Sequence, residues 1–134
     1  MARFYHVDIA QFAADADAKW IDNLLSHFDV PGVEARRQGV ARRISEDGIF
    51  HIVLVRRLTR ELAVPNERAV AIATRLLSAG GESDYLVGGL SLRLDRGYFE
   101  REVAARIAIA VESIVPARRG RPPQRPQKQV GRLD

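Results

Sequence analysis

Apolar residues recur along the first third of the chain at the spacing of short helices. After an extended lead-in at residues 4–7, Asp8 with Gln11 in capping-box position predicts a first helix over 9–14. Asp17 is placed to cap a second helix over 18–28, whose apolar positions fall on one face. The polar positions of that second helix lie on the opposite face.

The middle of the chain predicts a small hairpin followed by a long helix. Two short segments, 33–37 and 40–44, flank Gln38-Gly39 and are typical of a β-hairpin. Ser45 and the two acids after it predict a helix start. The run 49–55, with only one polar residue, fits a buried strand or a buried helix; the apolar spacing continues to Leu62 and favours the helix.

The second half of the chain predicts a further helix, a second hairpin and a final helix. A helix is predicted over 67–79, a second hairpin over 85–94 with a two-glycine turn, and a final helix over 97–115. The fold class is therefore mainly α with small β-hairpins. We expect three parts: a domain over 1–80, a hairpin plus helix over 81–115, and a tail over 116–134 that is disordered when free.

Composition places these elements in an ordinary globular protein. The 134 residues are 46% apolar and 28% charged, with no cysteine, which excludes disulfides and cysteine-based zinc sites. No apolar run reaches the roughly 18 residues of a membrane span, and no secretory leader is evident. A cytoplasmic chain with no membrane contact is the expectation.

Positive charge is concentrated in two short stretches. Residues 116–134 hold six basic residues and one acid, a formal charge of +5, whereas residues 1–115 hold 15 basic and 16 acidic residues. Within the body, 33–43 carries four arginines against Glu34 alone. This segregation predicts a polyanionic partner that meets both stretches. A solvated loop and a solubilising tail would produce the same pattern.

Catalytic chemistry has little support in the sequence. The three histidines, His6, His27 and His51, fall on three different predicted elements, and none has a second ligand at metal-binding spacing on its helical face. A nucleophile elbow, a thiol nucleophile and a phosphate loop are all missing from the sequence. We therefore predict no enzyme, no metal and no cofactor.

The order of elements over residues 5–79 resembles the winged helix-turn-helix of the MerR type, including its short excisionase-like relatives. The resemblance rests on Val7-Asp8-Ile9-Ala10 through Trp20 and Leu24, and on the run from Arg36 to Ser45. It implies that the second helix enters the DNA major groove while the hairpin, the wing, grips the backbone. The base-facing residues would be Lys19, Asp22, Asn23 and Ser26, and the phosphate-binding residues Arg36, Arg37, Arg42 and Arg43.

The tail carries a second resemblance, to the AT-hook core. The motif is Arg119-Gly120-Arg121-Pro122. It implies an extended arm in a narrow A·T-rich minor groove, where arginine meets a strong negative potential.

The final helix is apolar over more than one face, so it either covers the core or forms a dimer interface. We predict the interface at Val103, Ile107, Ile109 and Ile114.

We predict that the protein is a small homodimeric transcriptional regulator that binds double-stranded DNA in the cytoplasm, at the nucleoid. The alternative is an adaptor or antitoxin whose acidic first helices bind a protein; RNA binding is a third reading of the basic tail.

Overall fold

The computed structural model describes residues 3–34, 39, 41–78 and 84–119, with side chains to Ile114. Within these residues there are five helices and two antiparallel strand pairs, so the prediction of a mainly helical fold with small β-hairpins is confirmed. The helices are α1 (Val7–Ala14), α2 (Ala18–His27), α3 (Glu46–Leu62), α4 (Asn66–Leu77) and α5 (Arg96–Arg119). The strand pairs are β1 (Phe4–Tyr5) with β2 (Ile44–Ser45), and β3 (Asp84–Val87) with β4 (Leu90–Arg93).

Helix α3 is the centre of the hydrophobic core. It packs against α1, α4 and α5, and all of its residues from His51 to Val55 are buried. A helix enclosed by neighbours has no face that must be polar, which explains why the run 49–55 lacks helical periodicity. The core side chains of α5 belong to the same cluster as those of α1 and α3, so one core extends across residue 80.

Two of the three N-caps predicted above, at the starts of α1, α2 and α3, are confirmed. Asp17 accepts a hydrogen bond from the Trp20 N–H (2.8 Å), and Ser45 accepts one from the Gly48 N–H (3.1 Å), as predicted for N-caps. The prediction for Asp8 is wrong. Helix α1 begins earlier, at Val7, and His6 is its N-cap. Asp8 lies in the first turn, where its charge still complements the helix dipole.

The base of the predicted wing is formed by short-range backbone pairing. The Glu34 N–H donates to the Arg43 carbonyl (3.0 Å), and the Ser45 N–H donates to the Gly32 carbonyl (2.9 Å). On its other side β2 pairs with β1, a partner that the sequence did not indicate. The tip of the wing, residues 35–38 and 40, lies outside the described residues, and so do Arg36 and Arg37.

Helix α5 packs against α1, and this contact overturns part of the predicted dimer interface. Val103 and Ile107 are 0% and 4% exposed, covered by their own chain, so their assignment to an interface is wrong. Ile109 is 51% exposed and Ile114 is half-buried, and for these two the interface stays a prediction.

Helix α5 continues to Arg119, past the predicted start of the tail at residue 116. Residues 120–134, with the rest of the hook-like motif, lie outside the described residues.

Candidate nucleic-acid interface

The predicted reading residues share the outer face of α2. Buried Ile21 and Leu24 anchor the helix on the core, and the helical spacing turns the polar positions away from it. All four predicted base-facing residues are exposed, namely Lys19, Asp22, Asn23 and Ser26. The face is therefore accessible to a partner along more than two helical turns.

Arg42 joins the wing to this face. Its Nη1 donates to Asp22 Oδ1 at 2.7 Å, and its Nη2 donates to Ser26 Oγ at 3.3 Å. The Arg42 side chain is only 12% exposed, whereas that of Asp22 is 51% exposed. Arg42 was predicted to hold a phosphate. In this structure it instead holds the wing strand, residues 41–45 with β2 at its end, against α2, and two of the predicted base-facing residues are its partners.

Arg43 remains on the surface beside β1. Its guanidinium lies 4.1 Å from the centre of the Phe4 ring, and Nη1 is 3.7 Å from Glu34 Oε1. The side chain is 54% exposed. A cation that stacks on an aromatic ring keeps its N–H groups at the ring edge available, so Arg43 can still contact a phosphate.

A groove separates the end of α2 from the wing strand. It has a volume of about 610 Å³ and is lined by the last turn of α2, the Pro31-Gly32 turn, Glu34 and Arg42. Half-buried Leu25 and Phe28 contribute apolar surface, and Asp29 contributes a negative charge. The groove places polar, apolar and charged groups of α2 and the wing on one continuous surface.

The described part of this surface is not basic overall. Along α2 and its flanks, Asp17, Asp22 and Asp29 stand against Lys19 alone. Arg42 compensates Asp22, and Arg43 is close to Glu34. At this surface, any excess of positive charge must therefore come from Arg36 and Arg37, which lie outside the described residues, or from the tail, of which only residues 116–119 are described.

Comparisons with known protein families, with curated proteins and with solved structures found no match to this chain. The resemblance to the MerR type therefore stays a prediction from the sequence. Among the described residues, no group of histidine and carboxylate side chains could hold a metal ion. Nor does any described helix combine the length and the apolar character needed to cross a membrane.

Proposed function

We propose that this protein is a small DNA-binding regulator in which α2 reads base edges in the major groove and the wing contacts the flanking phosphates. The proposal includes a cytoplasmic, nucleoid-associated location and a basic tail that adds affinity. Two copies on a two-fold site would suit such a reader, and Ile109 is an exposed apolar residue of α5 on which a dimer would rest.

The observation that carries the proposal is the side-by-side placement of α2 and the wing. Arg42 fixes the wing strand to the polar face of α2 through Asp22 and Ser26. A reading helix and its phosphate-gripping wing must keep a constant separation to meet the groove and the backbone together. Within this arrangement Asn23 stays exposed in the second turn of α2, and its amide has the geometry to pair bidentately with adenine.

The experiment is duplex binding by the full chain, followed by fluorescence anisotropy across a salt series. Arg43→Ala should reduce the slope of log K against log salt by about 0.9, the value for one lost phosphate contact. Arg75→Ala is the matched control, because it removes the same charge from the exposed face of α4. Binding to the control should keep the parent slope.

Base reading is tested with duplexes selected from a random pool. Asn23→Ala should lose about 1–3 kcal/mol of preference for the selected site while non-specific binding stays unchanged. If the Arg43 and Arg75 variants behave alike, or if the parent chain binds no duplex at low salt, the proposed function is refuted.

The acidity of α2 favours a second candidate function, an adaptor that binds a basic protein through this face. Asp17, Asp22 and Asp29 lie along one helix and its flanks, where they would repel phosphates but attract lysine and arginine side chains. The Asn23→Ala measurement separates the two functions, because an adaptor would show no dependence of duplex preference on Asn23.

A further inference from the structure

A cleft of about 180 Å³ lies on a different part of the surface, between the end of α1, α3 and α5. Four arginines line it, with two carboxylates: Arg56, Arg57, Arg60 and Arg106, and Asp15 and Glu61. The lining therefore carries two more positive than negative charges. Such an excess among adjacent guanidinium groups is unfavourable unless each group has a partner.

Three of the four guanidinium groups have partners in the protein. Arg106 donates to the carbonyls of Ala13 (2.9 Å) and Phe12 (2.7 Å), the last turn of α1. Arg60 donates to the carboxylate of Asp15 at 3.1 Å and to its carbonyl. Arg57 pairs with Glu102 of α5, at 2.9 Å. These contacts hold α1 between α3 and α5 and account for three of the four arginines.

Arg56 is different. Its guanidinium lies 4.8 Å from the centre of the Trp20 ring, which positions it by stacking. Its Nε is buried, and within the described part of the chain no acceptor reaches that atom. A buried N–H without an acceptor is unfavourable, and a covered Nε cannot itself meet a ligand. Arg56 lines the cleft, and within the described part of the chain its terminal N–H groups enter no hydrogen bond or ion pair, so an anion in the cleft can bind them.

We propose that this cleft binds the phosphoryl group of a small phosphorylated molecule, with Arg56 as its principal ligand. A planar guanidinium presents paired N–H groups that match the oxygens of a phosphoryl group. The neighbouring Arg57 and Arg60 belong to ion pairs at the surface. Their side chains are about two-fifths exposed and can turn toward an anion. The volume is below the roughly 300 Å³ of common ligand pockets, so the cleft can hold a phosphoryl group while most of a larger molecule lies outside.

Trp20 gives a direct readout, because it is the only tryptophan in the chain and it stacks on Arg56. The full chain is titrated with inorganic phosphate and with phenyl phosphate, against chloride at equal ionic strength, and binding is measured by Trp20 emission and by calorimetry. A saturable response to both phosphates, with none to chloride, is expected. Arg56→Gln should weaken binding by about tenfold or more, the loss expected for one charge-assisted hydrogen bond.

Two further variants keep the test decisive. Arg56→Lys retains the charge and the alkyl stem but loses the planar fork, so it should also weaken binding, even if Arg56→Gln does not fold. Arg68→Gln removes an equal charge from exposed α4 and should bind phosphate like the parent chain.

A response that follows ionic strength alone, or one that survives both Arg56 variants, overturns the proposal. So does a reduction of duplex DNA binding in the Arg56 variants without any response of the parent chain to free phosphate, because the cleft would then contact the DNA backbone. The phosphate titration contains no DNA, so its outcome is independent of the proposed function.

Discussion

Replacing Gly48 with alanine tests how the wing strand is seated on α3. Gly48 is in the first turn of α3, and Gly32 lies against it with φ of +86°. A Cβ on Gly48 would lie 2.6 Å from the Gly32 carbonyl oxygen and 2.9 Å from Cγ2 of Ile44. Both distances are well inside van der Waals contact, and one of the neighbours is backbone that cannot turn aside.

The expected change in the free energy of unfolding is the balance of two destabilising effects and one stabilising effect. Overpacking at a tight site destabilises by about 1–3 kcal/mol, and displacing the Gly48 N–H from Ser45 Oγ adds to it, since a lost N-cap costs about 1 kcal/mol. The gain in helix propensity from glycine to alanine is at most about 1 kcal/mol. We expect Gly48→Ala to lower the free energy of unfolding by about 1–3 kcal/mol net, or about 4 °C in Tm for each kcal/mol.

The assay is urea unfolding followed by Trp20 fluorescence and circular dichroism, with the m-value checked for constancy. Gly97→Ala is the matched control. It lies in the first turn of α5, where a Cβ would meet the far end of the Arg101 side chain at 3.3 Å and Asp95 Oδ1 at an ordinary contact distance of 3.9 Å. This variant should be as stable as the parent or more so. If Gly48→Ala is equally stable, the close contact of the wing strand with α3 is refuted.

Three further predictions concern α5, the tail and α2. Ile107→Asp should abolish cooperative thermal unfolding because Ile107 is 4% exposed, whereas Ile109→Asp, at a position that is 51% exposed, should keep the parent Tm and lower the dimer fraction in sedimentation. A chain ending at Arg119 should keep its Tm but bind duplex DNA more weakly at low salt, since it loses four of the tail's six basic residues; unchanged binding would make the tail a passive end. Asp22→Asn should strengthen non-specific duplex binding at low salt, measured by anisotropy, because it raises the net charge by one and leaves Arg42 without its carboxylate partner.

Local signals in the sequence predicted most of the secondary structure. The caps at Asp17 and Ser45 depend on residues within three positions, and the apolar spacing of α5 depends on residues within four. The cap at Asp8 was wrong because two polar residues, His6 and Asp8, both suit a helix start, and the pairing of β1 with β2 decides where the extended chain ends. A competition between neighbouring signals is settled by tertiary contacts, which local patterns do not contain.

Local patterns could not predict contacts between residues that are far apart in the sequence. The apolar faces of α5 fit equally well a core helix and a dimer interface, and only its packing on α1 buries Val103 and Ile107. The paired glycines 32 and 48 could not be related by spacing, since a turn glycine and a helix glycine have separate local explanations. Long-range partners of this kind are set by packing.

The contact between Arg42 and Asp22 changes what the charges of α2 mean for DNA binding. From the sequence alone, Asp22 is an acidic residue on a helix that is predicted to approach phosphates, and Arg42 is a cation that could bind them. In the structure each is a partner of the other, across 20 positions of sequence, with Arg42 largely covered. The pair neutralises one unfavourable and one favourable charge together, so it leaves the net attraction unchanged but fixes the distance between α2 and the wing. Specific recognition depends on that fixed distance more than on one additional phosphate contact, and for this reason the loss of Arg42 as a phosphate ligand is compatible with the proposed function.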